Sequence, residues 1–131
     1  MVRKVGVLAL QGNYIQHKRM LDNLGINNIL VQYPRELEKC DLLIIPGGES
    51  TTISKLIDRN KFRKPIMNFA QINSVFGTCA GMILLSSTKE TDNFKPLGVM
   101  DFKAKRNAYG SQMNSFSGNL HLEFDNSNNF K

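Results

Sequence analysis

The chain has 131 residues, of which 41% are hydrophobic and 21% charged, and these proportions predict a single globular domain over residues 1–131. Its net charge of +6 comes from scattered lysines and arginines. Their densest cluster, residues 59–64, matches no nucleic-acid recognition motif, so we expect no nucleic-acid partner. No apolar run is long enough to span a bilayer and the N-terminus lacks a signal-peptide cleavage site, which favours a cytoplasmic protein with no membrane partner.

The N-terminal part of the chain has the pattern of a strand, a helix and a second strand. Residues 5–10 form a continuous apolar run, as in a strand that is buried on both faces of a sheet. Apolar and aromatic side chains then repeat at helical spacing from Tyr14 to Leu24, and Gly25 is placed to end that helix. Residues 28–33 follow as a second short strand.

The same alternation continues along the chain. An apolar run at residues 42–45 stops at Pro46-Gly47-Gly48, and a helix follows with Ser50 as its predicted N-cap. Residues 65–72 have the pattern of another short helix, and residues 74–76 that of a strand. Three further strand patterns lie at residues 97–102, 103–106 and 115–124. Strands that alternate with helices predict an α/β fold with a parallel sheet.

Residues 77–81, Gly-Thr-Cys-Ala-Gly, join the strand at residues 74–76 to an apolar, helix-competent run. This is the layout of a nucleophile elbow, with Cys79 at the position that serine occupies in hydrolases. The flanking glycines allow strand and helix to approach closely, and the backbone N–H of Ala80 is free to stabilise an oxyanion. The alternative is a buried structural cysteine in a glycine-rich turn. The second cysteine, Cys40, is predicted to be a small buried hydrophobe.

Two other loops are expected to lie beside this turn, because the carboxyl ends of parallel strands meet at one edge of a sheet. Gln11-Gly12 and Gly47-Gly48 each follow a predicted strand. The N–H groups of Gly47 and Gly48 can complete an oxyanion site, and Arg106 can bind a substrate carboxylate through two parallel N–H groups. Taken alone, Gly47-Gly48 is equally well explained as a tight turn and Arg106 as a surface cation.

Four sequence blocks occur in the order seen in one known family. They are LALQG at residues 8–12, PGGESTT at 46–52, GTCAG at 77–81 and RNAYGSQ at 106–112. Together they resemble the glutaminase subunit of pyridoxal 5′-phosphate synthase, a class I (triad-type) glutamine amidotransferase family. The resemblance implies a doubly wound, mostly parallel, flavodoxin-like sheet. It also implies hydrolysis of L-glutamine through a cysteine thioester, with no cofactor or metal, and transfer of the ammonia to a barrel-shaped synthase subunit.

The resemblance also implies roles for individual residues. Cys79 matches the nucleophile. The residues that match the glutamine-binding and oxyanion side are Gly47, Gly48, Glu49, Ala80 and Arg106. Gln11 and Gly12 match a loop that faces the synthase, and the resemblance extends an interface role to His17 on the following helix. The residues alone predict a packed, hydrogen-bonded histidine at this position.

The family completes its triad with a His-x-Glu pair on a later strand, beyond the blocks that match this chain. His121-Leu122-Glu123 has that spacing, but its position relative to the preceding blocks places it upstream of the triad pair, in an ordinary strand. We therefore expect a C-terminally truncated domain that lacks the last strands and helix of the family, with little or no glutaminase activity. Two alternatives remain open at this point: a non-catalytic protein that binds the synthase, and another α/β hydrolase with an elbow cysteine.

Overall fold

The computed structural model describes residues 4–105, 117–121 and 129–130. Six strands are present in this part of the chain: β1 Val5–Leu8, β2 Asn28–Val31, β3 Leu42–Ile45, β4 Ser74–Gly77, β5 Leu120–His121 and β6 Asn129–Phe130. Four α-helices accompany them: α1 Tyr14–Asn23, α2 Ser50–Arg59, α3 Arg63–Ile72 and α4 Ala80–Leu85. A 3₁₀ helix spans Pro34–Lys39.

The first four strands form one parallel sheet in the order β2-β1-β3-β4. The chain passes from β1 outward to β2 and then returns to place β3 on the other side of β1. The strand order therefore reverses between β1 and β3, and a crevice at the carboxyl ends of these two strands is the usual position of a binding site in such sheets. The predicted α/β fold with a parallel sheet is confirmed.

Both faces of the sheet are covered by helices. On one face, Val5, Val7 and Ile44 pack with Leu21 of α1. On the other, Leu8, Leu43 and Ile45 belong to a larger buried cluster. Helices α2, α3 and α4 supply most of its remaining members: Ile53, Ile57, Ile66, Phe69, Ala80, Leu84 and Leu85. This two-sided arrangement confirms the doubly wound fold, and the central strands β1 and β3 are continuous apolar runs because both of their faces are buried.

Helix α4 lies directly against the end of β3. A Cβ added at Gly81 would overlap the backbone carbonyl oxygen of Ile45, and one added at Gly77 would lie 2.6 Å from the Gly81 carbonyl carbon. Only glycine leaves room for this approach. The contact fixes where α4 begins relative to the sheet, and therefore also fixes the turn that precedes it.

Helix α2 is capped by Glu49 and not, as predicted, by Ser50. The Glu49 carboxylate accepts hydrogen bonds from the backbone N–H groups of Thr51 (3.1 Å) and Thr52 (2.7 Å). The hydroxyl groups of the same two threonines also donate to it, and they hold the pKa of Glu49 at about 2, well below its usual value. Ser50 is instead the first helical residue and is buried. A longer acidic side chain replaces serine as the cap because it reaches both exposed N–H groups.

Several predicted elements differ from the structure, and β1 and β2 end two residues earlier than the predicted residues 10 and 33. Helix α3 begins at Arg63, two residues earlier than predicted, because Pro65 lies in the first turn, where its missing N–H costs nothing. The region from residue 97 to 105 contains no strand, so the strands predicted there are wrong for these residues. Its backbone instead bonds to the end of α4, with the N–H of Leu97 donating to Leu84 O at 2.6 Å and that of Met100 to Leu85 O at 3.0 Å.

The strand predicted at residues 115–124 is only the two-residue β5 in the part that is described, where it pairs antiparallel with β6. Residues 115–116 and 122–124 lie outside the described residues. None of the helices in the described ranges is long and apolar enough to cross a bilayer.

Replacing Gly81 with alanine tests the contact between α4 and β3. We expect Gly81→Ala to lower the free energy of unfolding by about 3 kcal/mol, because the new methyl group must push helix and strand apart. Gly25→Ala is the matched control: Gly25 has a positive φ of 67° but open space around it, so the control suffers backbone strain alone, about 1 kcal/mol. If urea denaturation shows that Gly81→Ala and Gly25→Ala lower the free energy of unfolding equally, the close contact between α4 and β3 is not what requires glycine at position 81.

Replacing Glu49 tests its capping role. Glu49→Ala should lower the unfolding free energy by about 1 kcal/mol at neutral pH, the usual value for loss of an N-cap. Because folding lowers the pKa of Glu49, its ionisation stabilises the fold above pH 4.5, and this contribution is lost as the pH falls towards 2. The difference in unfolding free energy between wild type and Glu49→Gln, measured by urea denaturation, should therefore shrink as the pH falls from 4.5 towards 2. Glu38→Ala, at an exposed position of the 3₁₀ helix, serves as the control. If the difference in unfolding free energy between wild type and Glu49→Gln does not change with pH, the capping role of the Glu49 carboxylate is contradicted.

Candidate active site

Three loops meet at the carboxyl edge of the sheet, after β1, β3 and β4. The backbone N–H of Asn13 donates to the carbonyl oxygen of Gly47 at 2.9 Å. The N–H of Glu49 donates to the side-chain oxygen Oε1 of Gln11 at 3.2 Å. These two bonds fasten the loop after β1 to the loop after β3. The structure thus brings Gln11, Gly47 and Glu49 together.

The close approach of these two loops requires glycine at position 12. Gly12 has a φ of +92°, and a Cβ added there would overlap the carbonyl oxygen of Gly47. Gly48 lies on the other side of the contact, where an added Cβ would be 2.5 Å from Gln11 Oε1. Gly12 is therefore needed for backbone packing, whatever else it does.

Cys79 occupies the turn between β4 and α4 with an unusual backbone conformation, φ +50° and ψ −113°. A non-glycine residue in this region is strained by about 1–3 kcal/mol and persists only where its surroundings hold it. Neighbouring bonds do so: the Thr78 N–H donates to Ile45 O at 3.2 Å, and the Gly81 N–H donates to Thr78 O at 2.8 Å. The strained corner matches the geometry expected of a nucleophile elbow.

The two cysteines have opposite surroundings. Cys79 is exposed, so the alternative of a buried structural cysteine does not apply to it. Cys40 is 7% exposed and packs in the core, as predicted. Burial raises the pKa of the Cys40 thiol, which keeps it protonated and unreactive. Cys79 is therefore the thiol that a small molecule in solution can reach.

Backbone groups flank Cys79 on two sides. A Cβ added at Gly47 would lie 3.2 Å from the Cβ of Cys79, so the loop after β3 runs against the cysteine. Ala80 follows as the first residue of α4. Within residues 4–105, the N–H groups of Gly48 and Ala80 donate to no protein acceptor. Free N–H groups beside a nucleophile are the donors that an oxyanion needs.

Glu49 has a structural role that its place in the glycine loop did not predict. Its carboxylate already accepts hydrogen bonds from the backbone and hydroxyl groups of both Thr51 and Thr52. These bonds hold it at the start of α2. Any contact that it makes with a substrate must therefore involve a carboxylate whose position is already fixed.

His17 is half-buried, and its Nε2 lies 3.0 Å from the Thr78 hydroxyl oxygen. This agrees with the packed, hydrogen-bonded histidine predicted from the residues alone. Thr78 was missed at the sequence level because it occupies the variable position of a Gly-x-Cys-x-Gly pattern. No local signal pairs it with a histidine 61 residues earlier.

Some predicted positions fall outside the described residues or away from this site. Arg106 is outside the described residues, as is Glu123 of the His-x-Glu spacing, and only the backbone of His121 is described, in β5. A groove of about 740 Å³ contains none of the candidate site residues. It is lined by the 3₁₀ helix and α3 and includes Cys40 and Asn73, which precede β3 and β4, so it belongs to the opposite edge of the sheet. Among the described residues, no group of three or more His, Cys, Asp or Glu side chains could hold a metal ion.

Comparison with known proteins identifies relatives of this chain. The pyridoxal 5′-phosphate synthase subunit PdxT of Brevibacillus brevis is 47% identical over 114 residues, which cover 86% of this chain and 60% of the relative. The subunit of the same name from Herpetosiphon aurantiacus is 47% identical over 122 residues, covering 90% of this chain and 64% of the relative. The chain thus spans somewhat less than two thirds of the length of these curated relatives.

A solved structure agrees with these matches. The crystal structure of a glutamine amidotransferase superposes with a TM-score of 0.78 at 41% sequence identity, over 88% of this chain and 62% of the other. The model of the SNO glutamine amidotransferase family matches residues 7–131. The chain therefore belongs to the SNO glutamine amidotransferase family.

Proposed function

We propose that this chain carries the nucleophile and the oxyanion side of a glutaminase. The single observation that carries the proposal is the exposed Cys79 at a strained strand-to-helix corner, with the Gly47 backbone packed against it. Acyl transfer needs a nucleophile that projects from such a corner and backbone donors beside it. Membership in a glutamine amidotransferase family supports L-glutamine as the substrate.

In the proposed reaction, the Cys79 sulfur adds to the side-chain carboxamide carbon of glutamine. The carbon–nitrogen bond then breaks, and nitrogen leaves as ammonia with the proton that the thiol gave up. The resulting thioester is hydrolysed by one water molecule, which yields glutamate and restores the thiol. The oxygen that becomes negative in both steps would be stabilised by N–H groups of Gly47, Gly48 and Ala80.

Substrate binding is proposed to use the same loop and one further residue. Glu49, fixed at the start of α2, would form the rim of the glutamine-binding loop. Arg106 would bind the α-carboxylate of glutamine, since a guanidinium matches a carboxylate with two parallel hydrogen bonds. The assignment of Arg106 rests on the family resemblance of residues 106–112.

The proposal includes a protein partner. The relatives at 47% identity are named as subunits of pyridoxal 5′-phosphate synthase, which supports a synthase partner that consumes the ammonia. Gln11 and Gly12 are proposed to face this partner, with His17 on the same side. They lie beside the candidate nucleophile, so a protein docked there would be close to the point where ammonia is released.

Proton transfer sets the expected rate. Among residues 4–105, no histidine is hydrogen-bonded to Cys79, because the one histidine in that range, His17, is bonded to Thr78. A nucleophile without a bonded general base typically loses several orders of magnitude in turnover. We therefore expect this chain to form a thioester more readily than it completes catalytic cycles.

Labelling with a glutamine-analogue chloroketone tests the proposed function. We expect Cys79 to be alkylated while Cys40 stays unmodified, as measured by mass spectrometry of peptides, and L-glutamine to slow the reaction. D-glutamine serves as the control ligand, and Cys79→Ser as the control variant. Labelling that L-glutamine does not slow, or that modifies Cys40 at the same rate, would contradict the assignment.

Ammonia release from glutamine tests the turnover of the chain. We expect a rate about 10⁴-fold or more below that of the Brevibacillus brevis relative, with each protein mixed with a synthase subunit. Cys79→Ala should remove what remains. A rate equal to that of the relative, still abolished by Cys79→Ala, would show that this chain supplies its own general base.

A further inference from the structure

We propose that His17 is a positioning residue for Cys79, acting through the hydroxyl group of Thr78. The proposal rests on the proposed function, in which Cys79 is the nucleophile. His17 never touches the reacting atoms in this arrangement. It holds the residue that precedes the nucleophile and so fixes the conformation of the corner.

The contact joins two parts of the fold that are far apart in the chain. His17 lies in the first half of α1, one turn after the Gln11–Asn13 loop, and its half-buried ring reaches the end of β4. The 3.0 Å distance between Nε2 and the Thr78 hydroxyl oxygen is that of a well-formed hydrogen bond. Either group can donate, so the bond forms with either neutral tautomer of the ring.

Three hydrogen bonds hold Thr78, and only one of them involves its side chain. Its backbone N–H is bonded to Ile45 O and its carbonyl oxygen to the Gly81 N–H, while its hydroxyl group is bonded to His17. The next peptide bond leads directly into the positive φ of Cys79. A strained conformation persists only where neighbouring contacts hold it in place. The hydrogen bond between His17 and the Thr78 hydroxyl group therefore limits how far the backbone at Cys79 can relax.

The start of α1 is itself fixed to the loop on the other side of Cys79. The Asn13 N–H is bonded to Gly47 O, and no side chain caps the helix N-terminus. The first turn of α1 therefore connects the Gly47 loop to the Cys79 corner through Asn13 and His17. A displacement of α1, such as a protein docking on the Gln11 side would cause, would change both sides of the candidate site at once.

The test measures the rate at which iodoacetamide alkylates Cys79, since this reagent needs no bound substrate. Thr78→Val removes the hydroxyl group at nearly constant shape, and His17→Phe removes the ring nitrogens. Each is expected to lower the alkylation rate of the native protein about tenfold, because the corner relaxes from the conformation that presents the thiol. Thr78→Ser should retain the wild-type rate, and the double variant should be no slower than either single variant.

Controls separate positioning from general stability. Gln16→Ala, at an exposed position of α1, should leave the rate unchanged. All variants are compared by urea denaturation and assayed below the onset of unfolding. His17→Gln is measured as the conservative counterpart of His17→Phe and takes its place if His17→Phe does not fold. We expect His17→Gln to keep at least half the wild-type alkylation rate of Cys79. A loss of stability in Thr78→Val and His17→Phe with wild-type alkylation rates would overturn the proposal, as would a Thr78→Ser rate as low as that of Thr78→Val.

The same samples are then treated with the glutamine-analogue chloroketone. If L-glutamine fails to protect wild-type Cys79 from it, the proposed function is contradicted, while the iodoacetamide rates still decide the role of His17. If L-glutamine protects the wild type but the iodoacetamide rates do not change among the variants, the proposed function stands and the positioning role fails.

Discussion

The backbone carbonyl groups at the end of β3 hold the candidate active site together. Ile45 O accepts the Thr78 N–H and is covered by Gly81, while Gly47 O accepts the Asn13 N–H. The loop after β1 is thus bonded to the loop after β3, and the turn after β4 is bonded to the last residue of β3. Because a central strand of a four-stranded sheet cannot move without breaking two ladders, this anchor gives the site a rigid base.

The anchor explains how an unfavourable backbone conformation persists at Cys79. Peptide groups on both sides of the cysteine are fixed, one by β3 and the other by the first turn of α4. The strain is therefore balanced by packing and hydrogen bonding that the rest of the domain provides. Such a residue keeps its side chain exposed and its neighbouring N–H groups unoccupied, which is the arrangement that acyl transfer requires.

Much of this architecture could be predicted from the sequence. The two central strands, β1 and β3, were found because burial on both faces leaves no polar positions. The first residues of α2 and α3 were less predictable, since Glu49 and Pro65 act through the particular geometry of a helix's first turn. Residues 97–105 have the pattern of a strand, but the N–H groups of Leu97 and Met100 bond to α4 instead of to a neighbouring strand. Strand formation depends on an available partner, and that is not a local property.

Within the candidate site, glycine was the most informative residue type. The Gly77 and Gly81 positions were recognised because a strand and a helix that approach so closely need glycine, and the structure shows the contacts that require it. The bond between His17 and Thr78 could not be predicted in the same way. Histidine and threonine are common on helices and in turns, and only the folded chain brings these two together.

The two cysteines show why residue type alone does not define a reactive site. Cys40 lies within the core at the approach to β3, where burial disfavours the thiolate and raises its pKa. Cys79 lies at the opposite end of the neighbouring strand, where the chain must reverse from β4 into α4. The reversal forces the side chain outward and places a helix start and a glycine loop beside it. The exposure of Cys79 therefore follows from the same close packing of β3, β4 and α4 that defines the fold.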